Sequence, residues 1–490
     1  MTGEEVLNIV ALIVAGLLVI NIVGAIITLF LERRDTASLW AWILVLTLVP
    51  VLGFILYLFI GRRITNSKIF RLLDGSEAGH HKAGKLQLAE VNRNEYEFVN
   101  AVSQANVELA TLLMNDDTGS LSHNNAVTVF DDGAQKFESL LEDIRSAEDH
   151  VHLLYYIFRS DALGQRVLEA LIERARAGVA VRLCYDAYGG RKIARRYLKQ
   201  LREAGGEAYP FFPNNFGPIN FRVNFRTHRK IAVIDGRIGY VGGFNIGDEY
   251  VTPTKKFGYW RDTHLRIEGS AVESLQTRLL MDWNVAAPKN RRVGHEPRYF
   301  PVLDSEPGDV AVQIVSSGPD SELELIKYGY LKAIHEANRS IRIQTPYFMP
   351  DAAMMDALKI AALAGIDVHL MIPDRPDHPL VYPATLSYAD ELAKVGVNVH
   401  IYEGGFLHAK TLLVDDELAS VGTANFDYRS FRLNFEVNAF IYDVELGKRM
   451  AAIYDRDLLQ CRPFDHDQVY RRPFVGHVKE AVSRLVAPLL

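Results

Sequence analysis

The chain has 490 residues, 49% hydrophobic and 23% charged, enough for two or three domains with cores of their own, and this composition does not fit a disordered chain. A net charge of −6 argues against a general polyanion binder. Two cysteines, Cys184 and Cys461, supply neither a disulfide framework nor a thiolate metal site.

Residues 6–31 carry no charge, Glu32, Arg33, Arg34 and Asp35 follow, and residues 36–61 are again uncharged. Each apolar run exceeds the ~20 residues a helix needs to cross the hydrocarbon core. The acidic start at Glu4 and Glu5, the length of the first run and the presence of a second do not fit a cleaved signal peptide. A two-helix transmembrane hairpin over residues 1–61 is expected. Trp40, Trp42 and Tyr57 fit interfacial anchors, and Pro50 and Gly53 are tolerable inside a membrane helix. Two crossings leave both chain ends on one side, beside Arg62, Arg63, Lys68 and Arg71. The intervening loop holds only Arg33 and Arg34, so the positive-inside bias places the soluble part in the cytoplasm.

Residues 62–95 read as a juxtamembrane linker, flexible over the Gly- and charge-rich stretch 74–84, with His80 and His81 solvated in it. From residue 96 helical and strand-like segments alternate. Residues 137–147 place Phe137, Leu140, Leu141 and Ile144 on one helical face. Residues 151–158 read as a strand, 164–177 as a helix and 179–185 as a buried strand. The same order returns at 340–348, 352–364 and 366–372, with Gly365 lying 187 residues after Gly178. The expected fold is α/β: two duplicated domains, each a mixed sheet flanked by helices, over 96–305 and 306–490, joined through the Pro-, Gly- and acid-rich stretch 301–309.

Each copy carries the same short pattern. His228, Lys230, Asp235 and Asn245 recur as His408, Lys410, Asp415 and Asn425, every one 180 residues later. The doubling is what makes the signal specific, since a lone histidine in a strand is usually a core residue. His and Lys two residues apart in a strand project from one face, roughly 7 Å apart. A two-residue turn at Asp235-Gly236, and the matching one at Asp415-Asp416, would set Gly243 opposite His228 and Thr423 opposite His408. Small residues there, with Asn245 and Asn425, would leave room for a phosphate. The two aspartates sit at the turns and are expected to brace the site rather than touch substrate.

Two histidines, two lysines and two asparagines suit a phosphodiester. Ammonium and amide groups hold its oxygens, one neutral imidazole attacks phosphorus, and the second, protonated, serves the leaving oxygen. This chemistry calls for no cofactor, and no zinc-type spacing is present. A nucleophilic imidazole needs its other nitrogen held by an acceptor. Asp262, 34 residues after His228, and Glu436, 28 residues after His408, are the candidates.

These residues resemble the two His-x-Lys-x4-Asp motifs of the phospholipase D superfamily. The chain is similar over nearly its full length to the bacterial cardiolipin synthases within it. The hairpin and the segments at 155–158, 226–230, 247–250, 345–348, 429–431 and 488–490 carry that resemblance. It implies a phosphatidyltransferase of the bacterial inner membrane that converts two phosphatidylglycerols to cardiolipin and glycerol, with His228 as nucleophile and His408 as acid and base. Thr227 and Thr423 depart from the family pattern, where asparagine and serine are expected. The alternatives are a phospholipase D that releases phosphatidic acid, a nuclease, and a non-catalytic scaffold. The negative net charge and the membrane segment weigh against nucleic acid as a partner. A basic cluster, Arg191, Lys192, Arg195 and Arg196, fits either anionic headgroups or an ordinary solvated helix face. Apolar residues Val478, Val482 and Leu485 at helical spacing are expected to pack on the second domain.

Overall fold

The first apolar run folds as one helix, Gly3–Leu31, whose Glu4 and Glu5 sit favourably at the positive N-terminal end. Its Gly3–Asn21 stretch is long and apolar enough to cross a membrane. The second run forms a shorter helix, Thr36–Leu48, packed against the first. Trp42 is buried and meets Tyr57 edge to face at 5.3 Å, so it is not an outward-facing anchor. The computed structural model describes residues 3–31, 36–49, 52–53, 56–57, 77–93, 95–98, 100–116, 118–212, 225–303, 305–375, 377, 381–465 and 474–486. Most of the expected second crossing beyond residue 49, the loop 32–35, and Arg62, Arg63, Lys68 and Arg71 lie outside them.

Part of the stretch expected to be flexible is helical, Glu77–Asn92. Gln87 ties it down by exchanging two hydrogen bonds, 2.8 and 3.0 Å, with the backbone of Leu121.

Nineteen strands can be numbered along the described chain. The first copy holds β1 (Leu121–Phe130), β2 (His150–Tyr155), β3 (Ala180–Asp186), β4 (Glu207–Phe211), β5 (Ile231–Ile234), β6 (Ile238–Gly242), β7 (Tyr259–Arg261) and β8 (His264–Glu268). The second holds β9 (Val310–Ser317), β10 (Ser340–Gln344), β11 (Phe348–Met349), β12 (Asp367–Pro373), β13 (Asn398–Tyr402), β14 (Gly405–Leu407), β15 (Thr411–Val414), β16 (Leu418–Gly422), β17 (Phe426–Asp427), β18 (Glu436–Tyr442) and β19 (Cys461–Pro463). One sheet runs β19-β13-β12-β10-β15-β16-β18-β9-β1-β8-β6-β5-β2-β3-β4. Read outward from the β9–β1 seam, the two halves repeat one order over seven strands, with the same parallel pairs β2-β3-β4 and β10-β12-β13, and β19 adds an eighth, antiparallel to β13, in the second copy. The duplication is therefore one of topology as well as motif. It reaches single residues: Gly178 (φ 92°) and Gly365 (φ 93°) each follow a helix, Ala162–Arg176 and Ala352–Leu363, in the left-handed conformation that ends such helices.

The copies are not packed as separate bodies. Short helices Ala101–Ala105 and Val107–Leu113, expected to open the first domain, bury Val102, Leu109, Ala110 and Leu113 in the core of the second, beside Ile326, Tyr330 and Phe440. A central apolar cluster draws Ile231, Val241 and Leu265 from one copy and Val312, Phe435 and Val437 from the other. The C-terminal helix Phe474–Val486 packs on helix Val381–Ala393, where Arg484 lies over Tyr388, and leaves Val478, Val482 and Leu485 exposed.

The motif hairpins differ from expectation by one residue. β5 pairs with β6 as Ile234↔Ile238, and β15 with β16 as Val414↔Leu418, so each turn holds three residues rather than two. Asp235 (φ 52°), Asp415 (φ 55°) and Asp416 (φ 58°) take the left-handed backbone that a longer turn requires. Carried past the strands, this register sets residues 244 and 424, not Gly243 and Thr423, across from the histidines. A one-residue slip exchanges the faces of a strand.

Candidate active site

His228 and His408 immediately precede β5 and β15, and each is fastened by the other copy. His228 N–H donates to the Phe435 carbonyl (2.9 Å), and His408 N–H to the Arg261 carbonyl (2.7 Å). Thr227 bridges Phe435, and β14 runs parallel to β7, so both motifs enter the interface as short cross-copy ladders.

The side chains cross in the same way. His228 Nδ1 lies 2.9 Å from Glu436 Oε2 and 3.0 Å from the Thr423 carbonyl, both in the second copy. His408 Nδ1 lies 2.5 Å from Asp262 Oδ2, in the first. The chain order had placed Asp262 after His228 and Glu436 after His408; in space each carboxylate serves the opposite histidine. Lys410 Nζ is also 2.8 Å from His408 Nδ1, but that nitrogen cannot both donate to Asp262 and accept from an ammonium. The shorter contact with a carboxylate makes it the donor. Nε2 of each imidazole is thereby left for substrate. Tyr156 packs edge-on to His228 at 5.0 Å, and Trp260, Tyr250 and Phe406 surround His408 at 5.3 to 6.0 Å.

Burial dominates the electrostatics. His228 is held below the usual histidine pKa by burial, with Glu436 opposing. His408 is pushed down to about 3 by burial and then by Lys410, against Asp262. Both imidazoles are neutral near pH 7. Burial raises the pKa of Asp262 and Glu436, but Lys410 and His408 on the first, and His228 and Lys230 on the second, outweigh it and keep both ionised. Lys230 is pushed down to about 7 by burial, against the pull of Glu436, and Lys410 is lowered for the same reason. Each motif feels the other's charge: Lys410 acts on His228 and Lys230 on His408.

The lysines donate to their own histidine's carbonyl, Lys230 at 2.6 Å and Lys410 likewise, which leaves other N–H groups of each for an anion. Asn245 is held by the fold: Oδ1 accepts from Ile157 N–H (3.1 Å) and Nδ2 donates to the Tyr250 hydroxyl (3.0 Å). Asn425 is not so held, since its buried Oδ1 has no protein partner. Gly243 makes room for a carboxylate rather than a phosphate, because a Cβ there would lie 1.9 Å from Asp262 Oδ1. The Thr423 hydroxyl accepts from Val437 N–H (2.9 Å) and donates to the Val437 carbonyl (3.3 Å), so it is a structural contact. The turn aspartates brace. Asp235 accepts from the N–H groups of Glu148, Asp149 and His150 at 2.8–2.9 Å, and Asp415 from those of Asn338, Arg339 and Ser340 at 2.7–2.8 Å.

Two clamps went unread in the sequence. Arg229, fully buried, pairs with both oxygens of Asp282 at 2.8 Å and donates to the Glu436 carbonyl (3.0 Å). Arg261 pairs across the copies with Asp457 (2.8 Å). A signal existed: strand alternation turns Arg229 away from the His228–Lys230 face, and Asp282 interrupts the apolar run Leu279, Leu280, Met281 and Trp283 of helix Ala271–Ala286.

The model of the family described as cardiolipin synthase, PLD-like domain, matches twice, over residues 140–256 and 330–458. A phospholipase D-nuclease N-terminal model matches residues 19–62. The chain is 49% identical over 484 residues to the major cardiolipin synthase of Bacillus subtilis (strain 168), covering 99% of this chain and all of that one. It is 47% identical, with the same coverage, to a cardiolipin synthase of Listeria welshimeri. Among solved structures, phosphatidylserine synthase from Haemophilus influenzae Rd KW20 superimposes with a TM-score of 0.61 at 15% identity, covering 80% of this chain and all of that one, a likeness of fold.

Proposed function

We propose, from the premise that this chain belongs to the cardiolipin synthases of the phospholipase D superfamily, that it joins two phosphatidylglycerols into cardiolipin with release of glycerol. It is a phosphatidyltransferase acting on phospholipid. The observation that carries the mechanism is the crossed pair His228–Glu436 and His408–Asp262.

His228 Nε2 attacks phosphorus, the bond to the glycerol oxygen breaks, and His408 Nε2 gives that oxygen its proton. The hydroxyl of the second phosphatidylglycerol then passes its proton to His408 and attacks the phosphatidyl-His228. The P–N bond breaks and cardiolipin leaves. Glu436 and Asp262 keep each Nδ1 protonated, so Nε2 of neutral His228 carries the lone pair that attacks, while His408 enters the first step as the imidazolium, with the proton it gives on Nε2. Burial opposes a charged His408, and the negative phosphodiester against it opposes burial, raising its pKa where the acid is needed. Lys230, Lys410, Asn245 and Asn425 hold the nonbridging oxygens as charge develops on them. The assignment of nucleophile to His228 follows the family resemblance.

The membrane arrangement belongs to the same proposal. The apolar helix Gly3–Leu31 and the match over residues 19–62 support an N-terminal membrane segment. We read it as a two-crossing hairpin with the catalytic copies in the cytoplasm. Cysteines introduced at residue 34 and at residue 205 should react with an impermeant reagent from opposite sides of the membrane; labelling from the same side would overturn the hairpin.

The deciding experiment gives purified protein radiolabelled phosphatidylglycerol as its only lipid, with a chelator, and separates the products. Cardiolipin and free glycerol, absent with His228→Ala, are expected. Phosphatidic acid as the sole product would make the protein a hydrolase and refute the transfer.

A further inference from the structure

Joining two phosphatidylglycerols makes a demand that hydrolysis does not. The acceptor lipid brings its own phosphate, one glycerol away from the phosphorus under attack. The glycerol that leaves in the first step and the glycerol that attacks in the second pass through the same place, because one step is the reverse of the other in form. That place must bind hydroxyls close to His408 and carry a cation farther out.

Beside the His408 shell the surface forms a shallow, solvent-open pocket lined by Tyr347, Arg375, Asp377, Tyr382 and Phe406, among others. Phe406 joins it to the catalytic centre: its ring lies 6.0 Å from the His408 ring and 4.6 Å from Trp260. Tyr347 donates its hydroxyl to Asp377 Oδ2, which orients the carboxylate, and Asp377 is close enough for its charge to act on Lys410. The Tyr382 hydroxyl donates to the Asp374 carbonyl (2.6 Å), and Arg375 donates one N–H to the Lys256 carbonyl (3.2 Å). A guanidinium has four further N–H groups. The chemistry is divided. A carboxylate repels phosphate but accepts from a polyol, whereas an arginine matches phosphate oxygens bidentately.

We propose that this pocket is the acceptor subsite, in which Asp377 and Tyr347 bind the glycerol of an incoming phosphatidylglycerol and Arg375 pairs with its phosphodiester. The inference rests on the reading of His408 as the acid and base. In the second step the P–N bond to His228 breaks, the P–O bond to the acceptor's hydroxyl forms, and the hydroxyl proton goes to His408 Nε2. Arg375 and Asp377 thus determine specificity without touching the reacting bonds.

The test uses the full-length enzyme in phosphatidylglycerol micelles with radiolabelled glycerol and measures three products together. These are cardiolipin, phosphatidylglycerol labelled by glycerol exchange, and phosphatidic acid. Free glycerol has no phosphate, so Arg375→Gln should lower the ratio of cardiolipin to exchange at least tenfold, and Arg375→Lys should restore most of it. Asp377→Ala should lower both cardiolipin and exchange at least tenfold relative to phosphatidic acid. A cardiolipin-to-exchange ratio within twofold of wild type in Arg375→Gln overturns the proposal. Wild-type enzyme offers a test independent of any variant: glycerol 3-phosphate should accept the phosphatidyl group at least tenfold more efficiently than glycerol, and equal use of the two overturns it. Trapping of the phosphatidyl group on His408 would put the pocket on the wrong side and overturn it as well. Wild type that forms neither cardiolipin nor exchanged lipid would instead refute the transfer reaction itself.

Discussion

Glu436 and His228 lie 208 residues apart in the chain and 2.9 Å apart in the fold, on opposite copies. Asp262 and His408 repeat the relationship in reverse at 2.5 Å. Neither copy therefore holds a complete histidine–carboxylate pair of its own. Glu436→Gln and Asp262→Asn should each lower kcat by on the order of 10²- to 10⁴-fold with little change in KM, because an amide can stabilise the wrong tautomer and no imidazolium. Measured transfer rates within threefold of wild type in both variants would contradict the crossed pairing.

Acid catalysis matters only for a poor leaving group. With phosphatidyl-p-nitrophenol as donor, His408→Ala should release close to one equivalent of nitrophenol in a burst and then stall. His228→Ala should release none. Stopped-flow absorbance reads this directly, and a burst from His228→Ala but not from His408→Ala would reverse the roles.

Lys230 gives a pH signature with two opposite signs. Its pKa is depressed to about 7 by burial. Its charge is present below that pH and lost above it, so kcat/KM should fall as pH rises through 7 to 8. In kcat the limb should move upward, because a bound phosphate favours the charged lysine. The stability contribution runs the other way. The unfolded lysine stays protonated to about 10.4, so this group favours unfolding most below pH 7 and progressively less above it. A kcat/KM flat from pH 6.5 to 9.5 would show that the Lys230 charge is not used.

Gly243→Ala places a methyl 1.9 Å from Asp262 Oδ1, so the carboxylate or the loop must move. Displacements near 1 Å at a catalytic group cost on the order of 10²-fold in rate. The variant should lose that much in kcat while its thermal unfolding stays cooperative. Wild-type kcat in Gly243→Ala would show that Asp262 need not be held.

Asp235→Ala orphans three backbone N–H groups at the start of β2 and should destabilise the fold by about 2–4 kcal/mol. Denaturant unfolding should record the loss. The kcat of the folded fraction should fall far less than with His228→Ala. An equal loss of kcat without a loss of stability would mean that the aspartate acts on substrate.

The duplicated α/β plan was legible in the chain because it is written in local terms. Alternating 3.6 and 2.0 periodicities mark helices and strands, and a doubled motif at constant spacing marks two copies of one unit. The glycines at 178 and 365 could be aligned before their left-handed backbone was seen, since only glycine ends a helix there at little cost. The apolar helix Gly3–Leu31 was visible for the same reason: twenty or more uncharged residues need no tertiary context to be read.

What the sequence by itself determined, then, is the set of groups: two histidines, two lysines, two asparagines and two carboxylates. Which carboxylate serves which histidine was decided by the β9–β1 seam, which sets the copies edge to edge and feeds each motif into the other's ladder. The turn length, and with it the roles of Gly243 and Thr423, depended on three aspartates accepting a left-handed backbone while two of them bind three N–H groups each from a neighbouring strand's entry. Such choices rest on contacts between residues far apart in the chain. Local patterning is blind to them, because the energy that selects them exists only once both copies are packed.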